Sequence, residues 1–168
     1  MKAAGAVLIL LGFLAGGVNL CRSRRRRLST LRELETSLQL LAAELETRAS
    51  ELQTIFSFLG DQKGETGAFF RELSENMDKL GEYSFRKIWE SAVKRNLGSL
   101  RQDEREGVLR LGGSLGRYET QQQLQILHTV LSSLAKQRES ASLDYPNERR
   151  LFLGLAVSFG CLAALVLL

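Results

Sequence analysis

The sequence predicts an all-α protein, a membrane-anchored antiparallel helical bundle with one transmembrane helix at each end. Three observations predict it. Two uninterrupted apolar segments, Ala3–Cys21 and Leu151–Leu168, lie at its ends. Between them apolar residues recur at three- and four-residue spacing, the period of a helix that buries one face, and no alternating strand pattern of useful length occurs. All 19 acidic residues fall between the two apolar segments, and arginines crowd the inner edges of both.

Residues 1–21 read as the first membrane helix. Nineteen residues at 1.5 Å each rise about 28 Å, close to the thickness of a bilayer's hydrocarbon core. Arg22, Arg24, Arg25, Arg26 and Arg27 follow at once. Cationic residues beside a spanning helix stay on the cytoplasmic side, so this cluster predicts a cytoplasmic middle region, and only Lys2 opposes it. The same arginines would resist translocation, and the apolar stretch exceeds a signal-peptide core, so a retained anchor is expected. A lipoprotein cleavage site requires a small residue before its cysteine, whereas Cys21 follows Leu20.

Residues 22–148 are expected to form one cytoplasmic helical domain. Its first helix carries Leu31, Leu34, Leu38, Leu41 and Leu45, then Leu52, Ile55 and Leu59, with the spacing interrupted once at Arg48. With no Gly or Pro from Leu28 to Leu59, a single helix is expected to run to Gly60. Ser29 and Thr30 are candidate caps unless the helix continues out of the membrane segment. The stripe equally fits a coiled coil pairing two copies of the chain; short amphipathic neighbours that must bury their own faces favour an internal bundle.

Three short helices are expected next. Their stripes are Phe70, Leu73, Met77, Leu80; then Phe85, Ile88, Trp89, Ala92, Val93; then Val108, Leu111, Leu115. Breaks are expected at Gly64-Glu65-Thr66-Gly67, at Gly81 to Ser84 with Ser84 as N-cap, and at Asn96 to Ser99. A last long helix carries Leu124, Leu127, Leu131 and Leu134 to about Leu143, where Asp144-Tyr145-Pro146 is expected to break or kink it. Residues 149–168 read as the second membrane helix. Arg149 and Arg150 precede it and give the same orientation as the first cluster.

Charge sorts the functional classes. The net charge of +4 invites a nucleic-acid reading, yet residues 28–148 hold 15 Lys/Arg against 19 Asp/Glu, a net −4. The basicity belongs to the membrane edges, where it suits anionic lipid headgroups, and the acidic middle suits polyphosphate poorly. Cys21 and Cys161 both fall in the apolar ends, so the middle has no disulfide framework and no cysteine metal site.

Catalytic patterns do not emerge. His128 is the sole histidine, without ligand spacing around it, and is expected on a helix surface. Glu33/Glu35, Glu44/Glu46 and Glu104/Glu106 are i,i+2 pairs that diverge on a helix. Gly112-Gly113-Ser114-Leu115-Gly116 lacks the preceding strand of a nucleotide fingerprint and reads as a flexible helix end. Neither enzymatic activity nor a cofactor or metal is expected. Contact chemistry is left: Gly12 and Gly16 form a GxxxG, and Ala156, Gly160 and Ala164 repeat small residues four apart, which permits close helix packing within the chain or with partner membrane proteins.

The most distinctive polar stretch is Leu115-Gly116-Arg117-Tyr118-Glu119-Thr120-Gln121-Gln122-Gln123, a glycine turn opening an amide-rich helix start. Here the chain resembles the stage III sporulation protein AB family, related to the inner-membrane platform (F) proteins of type II secretion and type IV pilus machines. Leu115, Gly116, Glu119 and Gln123 match the family's spacing, with Glu119 in place of the usual aspartate, a poorer N-cap. Glu44 stands where the first helix usually carries a glutamate, and Trp89 matches an aromatic of the third. Where members often have Thr-Pro-Leu, this chain has Ser50-Glu51-Leu52, which is expected to let the first helix continue. The resemblance implies a non-enzymatic subunit of the secretion-like channel complex between mother cell and forespore. It implies an anchor in the outer forespore membrane, other membrane subunits of that channel as partners, and a cytoplasmic secretion-type ATPase docked on the bundle.

Overall fold

Two long helices, α1 (Lys2–Thr47) and α6 (Thr120–Leu167), enclose four short ones: α2 (Leu52–Gly60), α3 (Gly64–Asn76), α4 (Phe85–Asn96) and α5 (Gln102–Ser114). A 3-10 turn, Met77–Lys79, follows α3. The structure, a computed structural model, describes residues 2–47, 52–115 and 120–167; over most of residues 2–14 and 144–167 it describes the helical backbone alone. Among the described residues every regular element is helical. The chain divides into two compact units, Met1–Leu28 with Glu139–Leu168, and Ser29–Arg138.

The first unit holds both apolar segments as parts of α1 and α6. Among the described residues no helix is long and apolar enough to cross a membrane. The spans expected over Ala3–Cys21 and Leu151–Leu168 rest on the sequence, because most side chains of those segments lie outside the described set. A Cβ placed on Gly12 or Gly16 would meet nothing within 4 Å, so this GxxxG holds no close contact with the described chain. Arg22, Arg25 and Arg26 are exposed and Arg24 and Arg27 half-buried. The side chains of Arg149, Arg150, Ala156 and Ala164, and the surroundings of Gly160, lie outside the described residues.

The second unit is the bundle. Leu31, Leu34, Leu38 and Leu41 are wholly buried, as are Phe56, Leu59, Phe69, Phe70 and Leu73 opposite them and Trp89, Val93 and Leu111 beyond. Burying a side chain of this size contributes about 1.5–3 kcal/mol, and these residues form the core. The leucine stripe is therefore used inside the chain. Leu45, further along the stripe, is half-buried.

The single first helix expected from Leu28 to Gly60 is two helices. Ser37 Oγ on α1 lies 3.4 Å from Gln62 Oε1, just past the end of α2, so α2 runs back alongside α1. An unbroken helix would separate those residues by roughly 37 Å. α1 ends at Thr47 and α2 begins at Leu52, and burial explains why one helix does not serve: Ile55, Phe56 and Leu59 reach the core only if the chain reverses. Residues 48–51 lie outside the described set, Arg48 included.

Three other boundaries differ from expectation. Gly64 to Gly67 is not a break but the first turn of α3, with Gly64 at φ +94°, and the helix ends before Leu80, which is 44 % exposed. Ser29 and Thr30 are not caps, because α1 passes through them without a break. Pro146 does not break α6, which stays helical to Leu167. A proline removes one bond, here to the Ser142 carbonyl, and a helix long on both sides absorbs that loss. Ser84 does cap α4, its side chain accepting the Lys87 N–H at 3.4 Å, and the turn before it has Gly81 at φ +121°.

Candidate functional site

Two side-chain contacts set the register of the long helices within the bundle. Arg138 Nε on α6 donates to Glu35 Oε2 on α1 at 2.6 Å, and His128 Nε2 lies 3.4 Å from Glu46 Oε1. Ten residues along α6 match eleven along α1 in the opposite direction, so the pair is antiparallel and in step. Ser29 and Arg138 mark one end of the bundle, called proximal below. Thr47 and Thr120 mark the distal end.

The short helices alternate between these ends. At the proximal end Ser99, in the α4–α5 connection, donates its N–H and its hydroxyl to Glu65 Oε2 at 3.1 and 2.7 Å, and its Oγ lies 3.0 Å from the Thr30 hydroxyl. Glu65 sits in the first turn of α3, where the helix dipole favours an anion. Gln137 reaches Asp103 at 3.3 Å, which places the start of α5 there too. The Arg101 N–H donates to Glu104 Oε2 at 2.7 Å, so that wholly buried carboxylate closes the start of α5.

From there α5 runs to the distal end, and the motif begins just past its last residue, at Leu115. Leu115 caps α5 through its N–H to the Leu111 carbonyl at 3.0 Å and is 2 % exposed. Gly116, Arg117 and Glu119 lie outside the described residues. Gln123, in the first turns of α6, is half-buried and engaged with a neighbour, and so is Glu44 near the end of α1. Glu44, Leu115 and Gln123, 79 positions apart at most in sequence, thus share the distal end. Folding brings together what the spacing alone scattered.

Two residues take roles that the sequence did not assign. Gly112 is not a flexible end but a packing surface: a Cβ there would fall 2.3 Å from the Trp89 ring. Trp89 is wholly buried, donates its indole N–H to the Val108 carbonyl at 2.8 Å, and stands edge-on to Phe69 with ring centroids 5.0 Å apart. The family aromatic is thus a core anchor tying α4 to α5 and α3. His128 lies on the helix surface, beside Glu46, with 59 % of its side chain exposed. Among the described residues no three metal-ligating side chains converge.

Comparison with known proteins decides the family. A family model described as stage III sporulation protein AB matches residues 2–168. The chain belongs to that family. Stage III sporulation protein AB of Bacillus subtilis (strain 168) is 26 % identical over 172 residues, covering 100 % of this chain and 97 % of the relative. A solved structure of a stage III sporulation protein AB superposes with a TM-score of 0.65 at 24 % identity, over 71 % of this chain and 96 % of the other. That likeness extends to the helical fold.

Proposed function

We propose that this chain is a non-enzymatic platform subunit of a secretion-like sporulation complex, anchored at both ends in the mother cell's membrane around the forespore. Its bundle faces the mother-cell cytoplasm and docks a secretion-type ATPase through the distal end. The observation that carries the reading is the family match across residues 2–168, combined with the gathering of Glu44, Leu115 and Gln123 at one end of the bundle. Membrane anchoring draws on Ala3–Cys21 and Leu151–Leu168, and the orientation on Arg22, Arg24, Arg25, Arg26, Arg27, Arg149 and Arg150. The outward-facing Gly12 and Gly16 suit contact with helices of other membrane subunits.

In this role the bundle transmits force and makes no bonds. Motion of the ATPase reaches the membrane helices through α1 and α6, each of which is one uninterrupted helix from bundle to apolar segment. The test is co-purification of the full-length chain, in detergent, with the secretion-type ATPase of the same sporulating bacterium. Glu119→Ala with Gln123→Ala is expected to cut the recovered ATPase by about tenfold. Undiminished recovery, or normal sporulation of the double variant at unchanged protein level, would sink the docking assignment.

A further inference from the structure

A groove of about 270 Å³ opens between α3 and α4, and its lining includes Glu72, Lys79, Tyr83, Lys87, Ser91 and Arg95. Its charge runs against that of the domain. Residues 28–148 carry a net −4, whereas α4 alone holds four cations, Arg86, Lys87, Lys94 and Arg95, against Glu90. Glu72, the acid in the lining, is 18 % exposed, accepts from Asn96 Nδ2 at 2.6 Å and pairs with Arg95 Nη1 at 3.3 Å, which offsets part of the Arg95 charge, while the guanidinium, on a side chain 72 % exposed, keeps further N–H donors. The two lysines are held by neutral groups. Lys79 Nζ donates to Asn76 Oδ1 at 2.7 Å, and Lys87 Nζ stands 4.8 Å above the Tyr83 ring. Each ammonium has three donors, so both keep hydrogen-bonding capacity for an incoming anion.

The cations are also ordered. Lys87, Ser91 and Arg95 follow one another four apart along α4, so the two charges lie about 12 Å from each other with a small polar residue between them. Carboxylates two turns apart on a second helix have the same separation, and Ser91 leaves room for that helix to approach. Tyr83, 45 % exposed, and Leu80, 44 % exposed, add an apolar lip at the distal mouth. Lys79, Lys87 and Arg95 are all exposed, Arg95 with 72 % of its side chain, so a helix laid across α3 and α4 can reach them.

We propose that this groove docks an acidic helical segment of a protein partner, with two carboxylates about two turns apart on Lys87 and Arg95, a third anionic contact at Lys79, and an apolar side chain on Tyr83. Its lining includes none of Glu44, Leu115 and Gln123, and the proposal does not depend on which protein the motif binds. It gives the bundle a second, electrostatically selected contact.

The test uses the full-length chain in dodecyl maltoside micelles and a fluorescein-labelled, alanine-rich helical peptide bearing glutamates two turns apart and one leucine, with a glutamine twin, read by fluorescence anisotropy. The glutamate peptide is expected to bind at least about tenfold more tightly than its twin, and more weakly as salt rises from about 50 to about 300 mM. Lys79→Glu with Lys87→Glu is expected to weaken binding about tenfold. Arg110→Glu with Lys136→Glu, on exposed positions of α5 and α6, is expected to leave it unchanged. Circular dichroism checks that each variant is folded, and Lys79→Gln with Lys87→Gln replaces the reversal if that variant unfolds. Equal affinity for the two peptides, no binding of either, or an unaffected groove variant overturns the proposal. Displacement of the peptide by micelles doped with phosphatidylglycerol but not phosphatidylcholine would assign the groove to lipid headgroups instead, and would equally overturn it.

Discussion

Thr66 and Gly67 are adjacent in the first turn of α3, both fully enclosed, and they constrain stability in opposite directions. The Thr66 hydroxyl is wholly buried and has no hydrogen-bond partner among the described residues. Leaving a buried hydroxyl unpaired costs about 1–3 kcal/mol, so Thr66→Val, which keeps the shape and removes the polar atom, is expected to stabilise the bundle by about 1 kcal/mol. At Gly67 a Cβ would lie 1.8 Å from the Gln62 carbonyl oxygen. That neighbour is backbone and has no rotamer to change, so Gly67→Ala is expected to destabilise by at least about 2 kcal/mol. Chemical denaturation of the full-length chain, followed by the fluorescence of its sole tryptophan, Trp89, measures both. A destabilised Thr66→Val variant would mean that the hydroxyl has a partner, and an unperturbed Gly67→Ala variant that the α2–α3 connection yields. Composition marks a turn near these glycines, but it carries no sign of which one must lack a side chain.

Along whole elements, periodicity located faces better than ends. Leu31 through Leu41, Ile88 through Val93, and Val108 with Leu111 are the buried faces that three-four spacing points to. The α1–α2 break and the passage of α6 through Pro146 were not legible, because each depends on what surrounds the helix. Phe56 must return to the core, whereas Pro146 gives up one hydrogen bond in a helix of 48 residues. Pairing between distant elements is equally invisible in sequence: Glu35 and Arg138 lie 103 positions apart yet form the 2.6 Å contact that fixes the α1–α6 register. Glu35 is 15 % exposed and Arg138 36 %, so solvent screens the pair only in part. A double-mutant cycle with Glu35→Gln and Arg138→Gln is expected to return a coupling of about 1 kcal/mol, at the upper edge of surface pairs. A coupling indistinguishable from zero would show that apolar contacts alone set the register. The site followed the same division. The motif residues could be named from the family resemblance, but the place of Glu44, Leu115 and Gln123 at the distal end, and the cationic groove on α3 and α4, arise only when the helices alternate direction.

For the molecule as a whole, the distribution of charge decides more than its sum. A net +4 is the resultant of a domain at −4 and a basic border at each apolar segment, so the two parts face different electrostatic surroundings. Moving the acidic domain across a membrane would drag five arginines on one side and two on the other through hydrocarbon, at about 2.5–3.5 kcal/mol each on insertion scales. The proposed orientation avoids that cost by leaving both clusters where they are synthesised. Ser133 is exposed on α6 within the bundle and offers a reporter for it. In a chain whose Cys21 and Cys161 are replaced by serine, expressed in non-sporulating cells so that the cell membrane is the one it enters, Ser133→Cys is expected to resist a membrane-impermeant maleimide in intact cells and to react fully in inverted vesicles. Labelling in intact cells would put the bundle on the opposite side, beyond the reach of a cytoplasmic ATPase. It would then leave the distal motif and the α3–α4 groove to partners outside the cytoplasm.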